Sequence, residues 1–392
     1  MPKHYIAIRL DPGRLYEIIK DGNPGETLEA KINRVANQVV NDSATAGFNT
    51  IFVIAYSPKF GAYYQTDHEL TSTENGYGVT DFLNVLIKTA HKKKMEVVAS
   101  FHINNYFDVW EEKELWREKM ANKSDYIFGD RARPLSPGNP EYRNWFAGLL
   151  ADFLERHPDI DGLEAFEGYV DYEGPDNADY NAQATKAFLA LHPLSELGRN
   201  SEAWLKFRAD TLTQLHQILF DVARGKQKKS FVVQTWTARE DGSLWTAKEI
   251  RNTFGFDFHE IVSRDDPQSA PDGVVVQVIA QQWKHLYRNK PETENIFVPK
   301  WTATAGKTAR QQLKIPENSR FMIHIELTDF NYEGAEKPPP ISLEIFKETL
   351  KNALSVANDI TIYDYVFMRK AKENQNENAF NEIKNIILSF GD

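Results

Sequence analysis

HPDIDGLEAFEGYVDYEG, residues 157 to 174, reads as a Pro-Asp turn, a short apolar strand carrying Glu164 and Glu167, and a loop opened by Gly168 that holds Tyr169, Asp171, Tyr172 and Glu173. The segment before it, LSPGNPEYRNWFAGLLADFLER, has a clear helix start, with Asn139 as N-cap and Pro140 at the first helical position. A helix delivering the chain to a short buried strand is half of the βα unit that builds a parallel sheet. Carboxylates where a strand leaves a sheet cost several kcal/mol to desolvate unless partners compensate, so acids gathered there with aromatics mark a candidate active site.

Working outward, the same alternation runs from end to end. HYIAIRLD (4 to 11) is a first strand, closed by Arg9, Asp11 and a Pro-Gly turn, and a helix over 26 to 46 follows with Leu28, Ile32, Val35 and Val39 on one face. GFNTIFVIAYS (47 to 57) is almost wholly apolar, as a strand covered on both faces should be. A helix over 79 to 94 leads to a third strand, EVVASFHINNYF (96 to 107). After the fourth strand come a long loop and a helix over 201 to 224. SFVVQTWTARED (230 to 241), GVVVQVIAQQW (273 to 283), RFMIHIELTDFNYEG (320 to 334) and DITIYDYVF (359 to 367) complete eight strands, and a helix over 377 to 389 closes the chain. The sequence therefore predicts an α/β fold, a (β/α)8 TIM barrel with elaborated loops, occupying 1–392 as a single catalytic domain. NIFVPKWTAT (295 to 304) also reads as a strand, a ninth, and is placed in an excursion that carries Lys300 and Trp301 over the barrel mouth.

Composition narrows the function classes. The chain has 392 residues, 41% hydrophobic and 26% charged, enough for one large core. A net charge of −10 argues against nucleic-acid or anionic-membrane partners, which need a cationic surface. There is no cysteine, hence no thiol nucleophile and no thiolate metal site. No apolar run reaches the ~18 residues of a membrane span, and no signal peptide precedes Met1. The compartment stays open, with a secreted or periplasmic location expected if a leader has been removed. No G-x-S-x-G elbow, phosphate loop, G-x-G-x-x-G fingerprint or H-E-x-x-H spacing occurs, so no cofactor and no metal are expected.

In a barrel of this type the site lies at the C-terminal ends of the strands. Those positions hold Arg9, His102, Asn104, Tyr106, Glu164, Glu167, Tyr169, Trp236, Arg239, Glu326 and Asp329, with Lys300 and Trp301 added by the excursion. Aromatic faces stack on pyranose rings, polar groups bind hydroxyls, and two carboxyl groups flanking a glycosidic bond are the minimum apparatus for cutting it. Glu167 and Glu326 form the expected pair, because the fourth and seventh strands face each other across the mouth. Side chains alternate along a strand, so Glu164 and Glu167 should point to opposite sides; Glu167, nearer the end and followed by a glycine, is preferred as the acid, and Glu164 stays a catalytic candidate with an ion pair in the barrel wall as its alternative. Asp329 is the further candidate, with capping or ion pairing as the plain reading of each acid.

These segments resemble barrel-type glycoside hydrolases in two ways. GFNTIFVIAYSPKFGAYY, TAHKKKMEVVASF, LSPGNPEYRNWF and DIDGLEAFEGY are similar to the first half of bacterial glycosidase barrels related to polysaccharide-processing lipoproteins, with Glu164 and Glu167 where those proteins usually show aspartates. PDIDGLEAFEG, SFVVQTWTARE, VVVQVIAQQW, IFVPKWTAT and FMIHIELTDFNYEG resemble successive segments of the α-glucuronidases. That resemblance implies Glu167 as general acid. It departs in having Lys300 and Trp301 where those enzymes carry an aspartate, and Asn331 near their later glutamate. The expectation is hydrolysis of an oligo- or polysaccharide, with Arg9, Arg239 and Lys300 available to an acidic sugar. A polysaccharide lyase on the same fold and a non-catalytic carbohydrate-binding barrel are the alternatives.

Overall fold

The structure is a computed structural model that describes residues 4–20, 25–72, 77, 80–130, 132–171, 178–198, 200–235, 245–262, 269–277, 298–315, 319–327, 343–366, 368 and 377–391. Eight parallel strands close into a barrel: β1 (Ile6–Leu10), β2 (Thr50–Ser57), β3 (Glu96–His102), β4 (Gly162–Phe166), β5 (Lys229–Thr235), β6 (Gly273–Gln277), β7 (Arg320–Glu326) and β8 (Asp359–Tyr363). Closure is made by β8 pairing with β1, Ile362 opposite Ile8, and a two-residue strand, Gly61–Ala62, adds antiparallel to the end of β2. Helices alternate with the strands and form the outer layer, so the chain is a (β/α)8 TIM barrel.

Strand parity sorts the side chains into two layers. Ile8, Leu10, Val53, Ala99, Leu163, Ile323 and Ile362 point outward into the large core between strands and helices. Tyr5, Ala7, Phe52, Val98, Phe231, Val275 and Met322 point inward and fill the barrel floor. Phe231 is the floor's centre, edge-on to Tyr5 at 5.9 Å and to Phe52 at 5.3 Å. A Cβ added at Gly273 would lie 2.5 Å from this ring. Gly273→Ala is therefore expected to destabilise the protein by about 1–3 kcal/mol through overpacking, read by chemical denaturation. Unchanged stability would mean that the ring yields freely.

Three local expectations are corrected. The segment read as a ninth strand is helical from Val298 on, in a helix Val298–Leu313, and its residues 295–297 lie outside the described residues. Buried Trp301, Ala305, Ala309 and Leu313 recur every fourth residue along it, a helical spacing that outweighs the β-propensity of Val298. Pro12 does not end the first unit in a turn: it begins a helix, Pro12–Lys20, where a missing N–H costs nothing. The long loop after β4 contains a helix, Ala182–Leu191, capped by the Asn181 side chain accepting from the Gln183 N–H. Among the described residues no helix is long and apolar enough to cross a membrane.

Candidate active site

Above the apolar floor the inward positions turn polar. Arg9 on β1, Ser100 on β3, Glu164 on β4, His324 on β7 and Thr361 on β8 form one buried layer, each less than a tenth exposed. The register sets Ser100 beside Glu164 and His324 beside Thr361. Arg9 donates from Nη1 and Nη2 to the two carboxylate oxygens of Glu164 at 2.8 and 2.6 Å, and from Nε to His324 Nδ1 at 3.1 Å. Ser100 Oγ donates to Glu164 Oε2 at 2.6 Å. The Arg9 guanidinium also lies over the rings of Phe52 and Phe166, at 5.1 and 5.4 Å. With all three nitrogens engaged and 4% exposure, Arg9 faces Glu164 rather than the mouth. The charge it was expected to offer to an acidic sugar is spent inside the wall.

The two carboxyls of the expected pair lie one step higher. Glu326 ends β7 and is buried, with Oε1 2.9 Å from His324 Nε2. Burial pushes its carboxyl up to about 8, while the Arg14 and Arg9 guanidinium groups and the Gln277 amide pull it back. β4 stops at Phe166, so strand parity does not apply to Glu167. It sits just beyond, half-buried, at φ +42°, in the left-handed region that side chains other than glycine pay to occupy. Burial pushes Glu167 up to about 7, Arg9 pulls it down, and Glu326 and Glu164 push it further up.

The turn at Glu167 is held from both sides. The Asn104 amide donates to the Tyr169 carbonyl, the Val170 N–H to the Phe254 carbonyl, and Arg208 Nη2 pairs with Asp171 at 2.6 Å. Gly168 lies so close to β3's exit that an added Cβ would stand 2.8 Å from Ile103 Cβ. A strained residue persists where its neighbours over-determine it, as the contacts on either side of Glu167 do here.

Other expected site residues divide by position. His102 ends β3 edge-on to Phe166 at 5.1 Å, its Nδ1 without a hydrogen-bond partner among the described residues, and burial lowers it to about 3, which keeps the ring neutral. Asn104 and Tyr106 are fully buried. They hold backbone carbonyls, those of Leu135 and Tyr169 for the amide and of His102 for the hydroxyl. Tyr169 is half-buried, edge-on to Phe254 at 5.6 Å. Lys300 is exposed in the first turn of its helix, and Trp301 packs into the core. Trp236, Arg239 and Asp329 lie outside the described residues. Sequence reasoning missed His324 and Arg14. His324 was detectable, since it stands two residues before Glu326 and so shares its inward face. Arg14, 41% exposed, comes from the overlooked helix, with its guanidinium 5.0 Å from the Tyr363 ring and 3.3 Å from Asp364.

The raised carboxyls give stability a definite pH slope. An unfolded glutamate titrates near 4.5, whereas Glu167 and Glu326 hold their protons to about 7 and 8 in the fold. Between these limits the native state binds more protons than the unfolded chain, so their contribution is intact at pH 4.5 and is lost as pH rises to 8. Glu326→Gln, which cannot ionise, should flatten the fall in Tm over that range. An unchanged slope would show that Glu326 titrates normally.

The residues 25–230 match the model of the family described as Glycosyl hydrolase-like 10. No curated protein is matched as a relative. Among solved structures, the chain is similar to the PgaB (BpsB) glycoside hydrolase domain from Bordetella bronchiseptica, with TM-score 0.66, 15% identity, and coverage of 98% of this chain and 99% of that one. It is also similar to a β-galactosidase from the psychrophilic Marinomonas ef1, with TM-score 0.62, 11% identity, and coverage of 97% and 58%. A third is α-L-fucosidase isoenzyme 2 from Paenibacillus thiaminolyticus, with TM-score 0.60, 12% identity, and coverage of 98% and 49%. At such identities these likenesses speak to the fold, while the family match spans more than half of the chain. This barrel, with two carboxyls at the ends of β4 and β7, belongs to the glycosyl hydrolase-like 10 family.

Proposed function

We propose that the protein hydrolyses glycosidic bonds of an oligo- or polysaccharide as one catalytic domain, with Glu167 as general acid and Glu326 as base or nucleophile. One observation carries the reading. Glu326 pushes up the carboxyl of Glu167 at the end of a barrel whose floor is apolar, and burial raises both towards neutrality, to about 7 for Glu167 and about 8 for Glu326. Such a pair holds a single proton at physiological pH, so one carboxyl donates while the other accepts, as glycoside cleavage requires. The family match and the similarity, over nearly its whole length, to the glycoside hydrolase domain of PgaB (BpsB) support the same class and the single-domain reading. His102, neutral and with a ring nitrogen to spare, suits a sugar hydroxyl. Tyr169, Trp236, Arg239 and Lys300 complete the proposed substrate contacts, and Asp329 is kept as a further acid.

The test is to incubate wild type and Glu326→Gln with neutral, amino and uronic-acid polysaccharides, following reducing ends and ultraviolet absorbance together. Reducing ends that form with the wild type and not with the variant, without absorbance, are expected. Absorbance rising with the reducing ends would make the protein a lyase. Tight sugar binding with no turnover by the wild type would make it a binding module.

A further inference from the structure

We propose that Glu164, Arg9 and His324 form a fixed relay that delivers one N–H to Glu326 and so favours the ionised form of that carboxyl. The argument is a donor count. Arg9 has five N–H groups and no acceptor, and its Nε–H is directed at a nitrogen of His324 3.1 Å away, with Thr361 Oγ1 a longer second acceptor at 3.4 Å, so that nitrogen is the accepting one. That nitrogen is Nδ1, and Thr361 Oγ1 lies 3.0 Å from the same atom. A neutral imidazole has a single proton, which must then sit on Nε2, 2.9 Å from Glu326 Oε1. Burial and the Arg9 charge hold the imidazole well below its ordinary range, with Glu164 opposing, so the ring stays neutral across the working range.

An N–H directed at a carboxyl oxygen favours the charged form of that carboxyl. At Glu326 this bond opposes burial, which raises its carboxyl above that of Glu167. Glu164 anchors the relay by holding Arg9 through both carboxylate oxygens, which fixes the plane of the guanidinium and the angle of Nε. Glu164, Arg9 and His324 are thus positioning residues: none needs to touch the sugar. The other charged or titratable groups bearing on Glu326 are Arg14 from the first helix, Glu167 beyond β4 and Tyr363 on β8, with Asp364 opposing Arg14. None of them fixes a tautomer.

The kinetic part of this inference rests on the glycosidase reading, and the structural part does not. Nitrogen-15 NMR of the histidine-labelled protein, without substrate, should show one neutral ring protonated at Nε2 that does not titrate between pH 5 and 9 and that vanishes in His324→Phe. An Nδ1-protonated ring, or an imidazolium in that range, would overturn the relay whether or not the protein turns over a sugar. In carbon-13 titrations of the glutamate carboxyls, His324→Phe should raise the Glu326 midpoint by about one pH unit, the equivalent of a tenfold change in proton affinity. The acidic limb of kcat/KM should move upward by the same amount. His324→Gln, which keeps an N–H at a similar reach, should restore most of both shifts. A limb and a midpoint that stay in place in His324→Phe would reduce the histidine to packing. If His324→Phe does not fold, the same comparison is made between His324→Gln and the wild type, where a shift as large as one unit would count against the N–H.

Discussion

Glu167→Gln should lower kcat/KM for glycoside hydrolysis by about 10²–10⁴-fold while leaving the fold intact. The side chains are nearly isosteric and the φ of +42° is borne equally by either, so the backbone has no reason to move. Stability should hold or rise above neutral pH, because a carboxylate that burial, Glu326 and Glu164 all disfavour is removed. The loss should depend on the leaving group. If Glu167 protonates the departing oxygen, an aryl glycoside with an acidic phenol needs that proton least and should retain far more of its rate than an alkyl glycoside. An equal loss on both substrates would assign Glu167 to another role. More than half of the wild-type rate on an alkyl glycoside would remove it from the chemistry.

The barrel was legible because its strands are buried on both faces and its helices on one, which leaves two distinct periods in the sequence. GFNTIFVIAYS and VTDFLNVLIKTAHKKK illustrate them, and the structure has β2 and a helix, Phe82–Lys92, in those places. Element ends were less legible. The sequence extends the third strand to Phe107, whereas β3 ends at His102: Ile103 and Tyr106 are buried in a turn pinned by Asn104, and Phe107 begins a helix, Phe107–Glu112, a tertiary effect that no local pattern carries. The ninth strand was misread for the complementary reason: three β-branched or aromatic residues in a row outweighed an alanine spacing that becomes visible only when the next fifteen residues are read with it.

For the site, the sequence indicated which acids stand at strand ends but not which are already spoken for. Glu164 and Glu167 differ by three positions and by everything in their surroundings. One is held by Arg9, which comes from the far end of the sequence, and the other is held out by a backbone turn. A contact between residues 155 apart in sequence depends on barrel closure, and only the closed register shows that Arg9 is an internal counter-ion rather than a group awaiting an acidic sugar.

Arg9→Met carries the largest expected loss of stability. It leaves the Glu164 carboxylate in the barrel with only the Ser100 hydroxyl donating to it among the described residues, and breaking one side of a buried pair typically costs about 3–5 kcal/mol. Urea denaturation should show that loss as a lowered midpoint. Arg9→Met combined with Glu164→Leu should recover at least about 1 kcal/mol of it, since the isolated charge is then gone and apolar side chains meet Phe52 and Phe166. A single variant within about 1 kcal/mol of wild type would mean that water reaches this layer and that the pair is not buried in solution. The same prediction bears on how activity is to be read. Arg9→Met would lose turnover both through the fold and through the tilt of His324, so a dead variant identifies neither cause. His324 separates them because it is neutral: exchanging its N–H for a methine or an amide leaves no stranded charge, and what then changes at Glu326 is the bond itself.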